Sequence, residues 1–162
     1  MDINIDLNDY DVTDSFYNRK AARGIIRKGD KYLMIRGNCG DIKFPGGGVE
    51  EGESLKETLI REVREETGYT VMENTISYYG KITEKRAGIH KDILIMDSSY
   101  FTCEVSKEPG SRNLDDYEKE RRYECVWITL DEAISLNRSI DNTENCPWVI
   151  RDTKAMEYIL GK

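Results

Sequence analysis

The sequence predicts a single domain of the α/β or α+β class, in which helices are interleaved with strands. Short segments rich in β-branched and aromatic residues alternate with segments that have helical periodicity. No internal repeat, low-complexity tract or linker divides the 162 residues. A chain of this length can bury a core without disulfide or metal cross-links. We therefore expect one domain over residues 1–162.

The first part of the chain predicts three short strand segments. Residues 1–18 are mostly polar, but alternating apolar residues near the start suit either an edge strand or a loosely ordered arm. Ala22–Arg27 and Tyr32–Arg36 are apolar runs separated by a turn that contains Gly and Asp, which predicts a hairpin. Another short strand follows at Ile42–Phe44 and ends at Pro45.

The strongest local signal is a helix at Leu55–Thr67. Ser54 is a favourable N-cap, and Glu57, three residues later, completes a capping box. The residues between are mostly good helix formers. Gly68 stands where a left-handed residue ends a helix.

The remaining segments predict three strands and two helices. Apolar and aromatic residues are concentrated in the strand segments, and proline is favourable at a helix start. In chain order the strands are Ile76–Ile82, Ile93–Val105 and Tyr123–Thr129, and the helices are a short one near Asp131–Leu136 and a C-terminal one from Pro147 to Leu160.

The net charge of −7 argues against a nucleic acid partner, because such proteins usually present a basic surface to the phosphate backbone. An acidic protein that acts on an acidic substrate would need a cation between the two. No apolar run approaches the roughly 18 residues that span a bilayer. The acidic N-terminus also lacks the layout of a secretion signal. We therefore expect a cytoplasmic protein without a membrane partner.

Histidine and cysteine chemistry is restricted by the sequence. His90 is the single histidine, which excludes a site built from several histidines. It lies in a polar segment, where a solvated loop histidine is expected. The four cysteines are far apart and form no close pair of the kind found in zinc and redox sites. We expect all four thiols to be reduced.

Three glutamates of the predicted helix lie at the edge of its apolar face. Glu62 and Glu66 are one turn apart beside that face, and Glu65 is next to them. Like charges at this spacing repel, and partial burial increases the cost of their charged forms. A cation close to them would remove that cost. Clustered carboxylate oxygens favour Mg²⁺ or Mn²⁺ over zinc.

A salt-bridged surface helix is the alternative explanation of the same charges. Arg61 lies four residues from both Glu57 and Glu65, and Arg64 adds a further positive charge. The charge pattern alone leaves both interpretations open.

The whole segment resembles the Nudix box, the signature of the Nudix hydrolase family. Gly47 is followed by five residues, Glu53, seven residues and then the run from Arg61 to Gly68, which reads REVREETG. All the fixed glycine and charged positions of the box match over Gly47 to Tyr69. Tyr69 occupies a position that is usually aliphatic, a departure that affects packing. The order of flanking strands resembles the family over about residues 20–135.

The resemblance implies a Nudix fold, a mixed sheet sandwiched between helices with a loop–helix–loop motif. It also implies roles for individual residues. Glu62 and Glu66 would be the main metal ligands, and Glu65 a further ligand or the general base. The backbone carbonyl of Gly46 would be another ligand. The structural positions of the motif would be Gly47, Glu53, Arg61 and Gly68.

By this resemblance the chain hydrolyses the diphosphate bond of a nucleoside diphosphate linked to another group, with Mg²⁺ or Mn²⁺. The metal neutralises the diphosphate and activates the water that attacks phosphorus in line. The acidic segment Asp115–Glu120 supplies candidates for a further carboxylate, and we prefer Glu120 to Glu118. A solvated charge run is the alternative, and the sequence favours it over the catalytic role. Arg23 and Arg36 are candidates for substrate binding, with surface ion pairing as the alternative.

The substrate class follows from what is missing outside the box. The positions that mark subgroups acting on ADP-ribose, dinucleoside polyphosphates or NADH lack the marker residues, which leaves a small nucleotide such as a (deoxy)nucleoside triphosphate. Two alternatives remain, a catalytically silent nucleotide-sensing domain and an RNA-end pyrophosphohydrolase. All box carboxylates are present, which argues against the first, and the negative charge argues against the second. The sequence leaves open whether the protein forms a homodimer.

Overall fold

The computed structural model of the chain describes residues 1–11, 15–88, 92–141, 143 and 146–161, so the prediction for His90 lies outside the described residues. Helices and strands alternate over that part of the chain, as the sequence predicts. The strands are β1 Asp2–Asp6, β2 Ser15–Ile25, β3 Arg27–Lys28, β4 Lys31–Arg36, β5 Ile42–Lys43, β6 Ser77–Ala87, β7 Asp92–Thr102 and β8 Glu124–Thr129, and the helices are α1 Leu55–Thr67, α2 Asp116–Glu120, α3 Leu130–Arg138 and α4 Trp148–Ile159.

The described strands form two four-stranded sheets. The first has the order β1-β6-β7-β2 and is mixed, because β1 pairs parallel with β6 and β2 parallel with β7, whereas β6 and β7 are antiparallel. The second sheet is antiparallel and contains β3, β4 and β5, with β8 on the other side of β4. The expected mixed sheet is therefore confirmed, together with a second, smaller sheet that the sequence did not separate from it.

Helices cover the sheets from two sides. On one side α1 packs Leu59 and Val63 against a buried cluster that includes Leu33 of β4. On the other side α3 and α4 pack Ile134 and Met156 against a second cluster that contains the following core residues: Ile25, Phe44, Ile82 and Tyr100. The apolar faces of all these elements are removed from water in this way, which is the main stabilising contribution to the fold.

The predicted boundaries of α1 are confirmed. The Ser54 hydroxyl accepts the backbone N–H of Glu57, and the Glu57 carboxylate accepts the N–H of Ser54, which makes a complete capping box. Gly68 ends the helix in the left-handed region, with φ 78°. This well-defined start and end fix which residues of α1 face the sheets.

Other elements differ from the prediction in length or existence. The hairpin is confirmed, with Lys28 opposite Lys31, but β2 begins at Ser15 because its outer half pairs with β7. The short helix α2 was not predicted. Asp115 and Glu118 form a capping box that starts it. That spacing was visible in the sequence, but the dense charges around it suggested a solvated loop.

Two further findings concern cysteines and membranes. All four cysteines are free thiols, as the sequence led us to expect. None of the helices in the described part of the chain combines the length and hydrophobicity needed to cross a membrane.

Asn137 joins both helices of one layer to the second sheet. Its side chain accepts the N–H of Ile42 at 2.7 Å and donates to the Ile42 carbonyl at 2.9 Å. It also donates to the Thr153 hydroxyl at 3.1 Å, and it is 2% exposed. These bonds hold α3 and α4 beside β5, the strand that leads into the glycine run.

We predict that Asn137→Ala lowers the free energy of unfolding by about 2–4 kcal/mol, because it leaves the buried N–H and C=O groups of Ile42 without partners. Urea denaturation measures this change. Asn113→Ala serves as the matched control at an exposed position and should change stability by less than about 0.5 kcal/mol. Similar values for both variants would contradict the bridging role of Asn137.

Candidate active site

The glutamates of α1 differ sharply in burial. Glu66 is 1% and Glu62 9% exposed, and both lie on the side of the helix that faces the glycine run. Glu65 points further outward, with about a third (33%) of its side chain exposed. The one-turn spacing thus brings Glu62 and Glu66 together at the edge of the core and leaves Glu65 beside them.

A third buried carboxylate approaches from α2. One oxygen each of Glu62, Glu66 and Glu118 lies within 4.8 Å of the others. Glu118 is 9% exposed, whereas Glu120, the residue preferred in the sequence, is exposed to solvent. We call Glu62, Glu66 and Glu118 the carboxylate cluster. The two-residue shift from Glu120 to Glu118 follows from α2, because helical geometry turns Glu118 inward and Glu120 outward.

Glu66 is held by two donors. Its Oε1 accepts from Lys43 Nζ at 2.9 Å, and its Oε2 accepts the backbone N–H of Gly46 at 2.6 Å. The Lys43 ammonium also lies 3.9 Å from the ring centroid of Tyr123. A buried carboxylate needs such compensation to keep its charge. The contacts fix the Glu66 side chain relative to the start of the glycine run.

Arg61 joins the loop to the helix. It makes a bidentate ion pair with Glu53, with Nε–Oε1 at 2.7 Å and Nη2–Oε2 at 2.9 Å. It also donates to the Gly48 carbonyl at 3.1 Å. Its Nη1 is shared between Glu62, at 2.8 Å, and Glu65, at 3.2 Å. The guanidinium therefore spreads one positive charge over three carboxylates.

The glycines before the helix allow the close packing of the site. Gly46 has φ 138°, and a Cβ there would overlap the carbonyl of Ala22. A Cβ at Gly47 would overlap the Glu62 carboxylate. The Gly46 carbonyl, a ligand candidate from the sequence, accepts from Arg23 Nη1 at 2.5 Å. Only residues without side chains allow this loop to approach the cluster.

Burial shifts the proton affinity of the cluster. Desolvation, followed by the charge of Glu66, raises the pKa of Glu62 above its ordinary value. Desolvation also raises the pKa of Glu118, to about 7. These shifts mean that the charged forms are disfavoured despite Lys43 and Arg61. A divalent cation would reverse them, and the all-oxygen donor set fits the preference of Mg²⁺ or Mn²⁺.

The cluster opens into a cavity of about 440 Å³. Arg23 lines this cavity and is 7% exposed, whereas Arg36 is half-buried on β4 and does not line it. Burial, followed by the charge of Arg151, lowers the pKa of Arg23. Sequence reasoning missed several residues of the cavity because they come from separate elements, namely Lys43, Arg86, Tyr117, Tyr123, Trp148 and Arg151.

Comparisons with known proteins agree with this geometry. The family model for the NUDIX domain matches residues 18–148. The chain is 44% identical over 52 residues to an ADP-ribose pyrophosphatase of Methanocaldococcus jannaschii (30% of this chain, 31% of the relative). It is 35% identical over 57 residues to an 8-oxo-dGTP diphosphatase of Escherichia coli (32% and 44%).

A solved structure has a similar fold. A NUDIX hydrolase from Nitrosomonas europaea superposes with a TM-score of 0.61 at 24% identity, over 86% of this chain and 90% of that one. The chain spans only 31% to 52% of the length of the first curated relatives it matches.

We predict that Arg61→Gln raises the pKa of Glu53 from about 2 toward the ordinary value of 4.5, because the hydrogen bonds from Arg61 are the main cause of the depression. A carboxylate with a lowered pKa stabilises the fold above pH 4.5, and this contribution is lost as the pH falls toward 2. The free energy of unfolding of the variant should therefore depend less on pH in that window. Nuclear magnetic resonance titration of the carboxyl groups measures the shift directly.

Glu57 provides the internal control for this titration. Hydrogen bonds from Ser54 lower its pKa, and Arg61 has no part in them. Its pKa should therefore remain lowered in Arg61→Gln. An unchanged pKa for Glu53 would show that the ion pair does not control this carboxylate.

Proposed function

This chain belongs to the Nudix family, and we propose from that premise that it is a divalent-metal-dependent pyrophosphohydrolase that cleaves the diphosphate bond of a small nucleotide. The observation that carries the proposal is the carboxylate cluster, in which three buried carboxylates from two helices converge within 4.8 Å at the wall of a cavity. Such a group of like charges is costly without a cation.

Glu62 and Glu66 are the proposed ligands of Mg²⁺ or Mn²⁺, with the Gly46 carbonyl as a further ligand. A bound divalent cation supplies neutralisation of the diphosphate and activation of the attacking water. Lys43 and the Gly46 N–H keep Glu66 in place. Arg61 does the same for Glu62 while tying the loop to the helix through Glu53.

We assign the further carboxylate to Glu118 in place of Glu120. Glu118 lines the cavity, and neither Glu65 nor Glu120 is among the described residues that line it. Its Oε2 accepts the N–H of Asp115 at 2.9 Å, which holds the side chain and leaves Oε1 to take the proton of the attacking water. Glu65, our first choice of base from the sequence, is then a residue that positions Arg61 through their 3.2 Å contact.

The proposed substrate is a small nucleotide such as a (deoxy)nucleoside triphosphate. The cavity of about 440 Å³ has the size typical of small-molecule sites. Arg23 lines the same cavity as the cluster, where it can bind phosphate, and Arg36 is dropped from the proposed binding residues. Tyr117 and Trp148 also line the cavity and offer aromatic surface to a base.

The experiment that tests the function is a phosphate and pyrophosphate release screen with Mg²⁺ and with Mn²⁺. The panel contains nucleoside triphosphates, 8-oxo-dGTP, ADP-ribose and 5′-triphosphorylated RNA. Release from a small nucleotide supports the proposal. Release from RNA alone would favour the RNA-end alternative, and binding without release would favour a nucleotide-sensing domain.

We predict that Glu66→Gln lowers kcat/KM by more than about 100-fold, because it removes a charged ligand while keeping an acceptor for the Gly46 N–H. Mg²⁺ should raise the thermal midpoint of the wild type and have no effect on the variant. Glu73→Gln is the matched control at an exposed glutamate and should behave as the wild type. A normal Mg²⁺ response in Glu66→Gln would refute the ligand assignment.

A paired substitution tests the choice between the two carboxylates of α2. Glu118→Gln should reduce kcat by at least about tenfold, since it removes a proton acceptor from the cavity wall. Glu120→Gln should leave kcat within about twofold of the wild type, as expected of an exposed side chain. Steady-state kinetics at saturating Mg²⁺ measures both. A larger loss of kcat in Glu120→Gln than in Glu118→Gln would assign the proton acceptor to Glu120.

A further inference from the structure

A second wall of the cavity is built from charged residues of β6 and α4. Arg151 Nη2 donates to Asp152 Oδ2 at 2.6 Å, and its Nη1 donates to Glu84 Oε2 at 3.4 Å. Arg86 Nε lies 3.2 Å from Glu84 Oε1. Glu84, Arg151 and Asp152 are each no more than 3% exposed. These side chains form an ion network at the wall of the cavity, built from elements other than α1.

Positive charge is in excess on this wall. Three arginines that line the cavity, Arg23, Arg86 and Arg151, outnumber the two carboxylates of this network, Glu84 and Asp152, so the five groups together carry a net charge of about +1 if each is ionised. We call Arg23, Arg86 and Arg151 the arginine wall. A buried positive excess is costly until an anion compensates for it.

The arginine wall also has unused hydrogen-bond donors. The Nε atoms of Arg23 and Arg151 are buried, and neither has a hydrogen-bond partner among the described residues. Arg23 is 7% and Arg151 3% exposed, and both line the cavity. Buried donors of this kind are normally satisfied. A network whose role was only to join β6 to α4 would need neither the excess charge nor the open donors.

We infer that the arginine wall is an anion subsite that binds a phosphate group of the substrate other than those held at the carboxylate cluster. This inference rests on the proposed hydrolysis and deepens it. The two walls share one cavity, so a single substrate must offer anionic groups to both. A nucleoside triphosphate does so, whereas a nucleoside diphosphate linked to a neutral sugar has no third phosphate. Arg86 and Arg151 are therefore specificity-determining residues.

The test compares Arg86→Gln with the wild type on two substrates. Arg86 is chosen because Arg151 is more deeply buried and its replacement endangers folding. For a nucleoside triphosphate, kcat/KM should fall roughly 10- to 100-fold, the loss expected for charge-assisted hydrogen bonds. For ADP-ribose the change should stay below about threefold. Arg86→Lys should restore part of the triphosphate activity, because it keeps the charge but not the planar donors.

The matched control is Arg138→Gln. Arg138 is exposed on α3 and pairs with Glu157, so both substrates should be hydrolysed as by the wild type. Equal losses on the two substrates, or no loss on either in Arg86→Gln, would overturn the subsite. A structural defect would affect the two substrates alike and would lower the thermal midpoint of the protein.

A binding experiment separates this inference from the proposed function. Inorganic tripolyphosphate is titrated calorimetrically into the protein in the presence of a chelator, so that neither turnover nor metal is required. Arg86→Gln should weaken binding about tenfold or more, and Arg138→Gln should not. If no nucleotide is hydrolysed but Arg86→Gln still weakens tripolyphosphate binding, the proposed function is refuted and the anion subsite is supported. If nucleotides are hydrolysed but the wild type, Arg86→Gln and Arg138→Gln bind tripolyphosphate equally, the proposed function is supported and the anion subsite is refuted.

Discussion

The burial of like-charged carboxylates at one edge of α1 is the constraint on which the rest of the site depends. Glu66 is 1% exposed and receives hydrogen bonds from Lys43 and from the backbone of Gly46. Glu62 lies beside it with a raised pKa. Such an arrangement is unfavourable in isolation, and the loop and the neighbouring strand contribute the donors that reduce its cost.

The loop and the helix each contribute to the geometry of this site. Glycine at positions 46 and 47 lets the backbone approach where any Cβ would overlap a carbonyl or a carboxylate. Arg61 then ties that backbone to the helix through Glu53, with two short hydrogen bonds. Motif residues outside the cluster thus determine its geometry, which explains why their spacing is as informative as the glutamates themselves.

The cavity has two regions of opposite charge, which on our proposal would allow an acidic protein to accept an acidic substrate. The carboxylate cluster would bind a divalent cation before a phosphate approaches, whereas the arginine wall has positive charge of its own. Arg23 lines the same cavity, and its pKa is influenced by the charges of both Arg151 and Glu66. The net charge of −7 therefore says little about the local field that a substrate meets.

The sequence by itself determined most of the elements and the motif, because capping, periodicity and fixed spacing are local properties. The limits of α1, the hairpin and the grouping of Glu62 with Glu66 follow from residues less than a few turns apart. Only the tertiary structure decided that Glu118 rather than Glu120 reaches the cluster and that Arg36 lies away from the cavity. It also decided that Arg86 of β6 and Arg151 of α4 both pair with Glu84. Those contacts join residues far apart in the chain, and the packing of whole elements sets their distances, for which a single sequence contains no local signal.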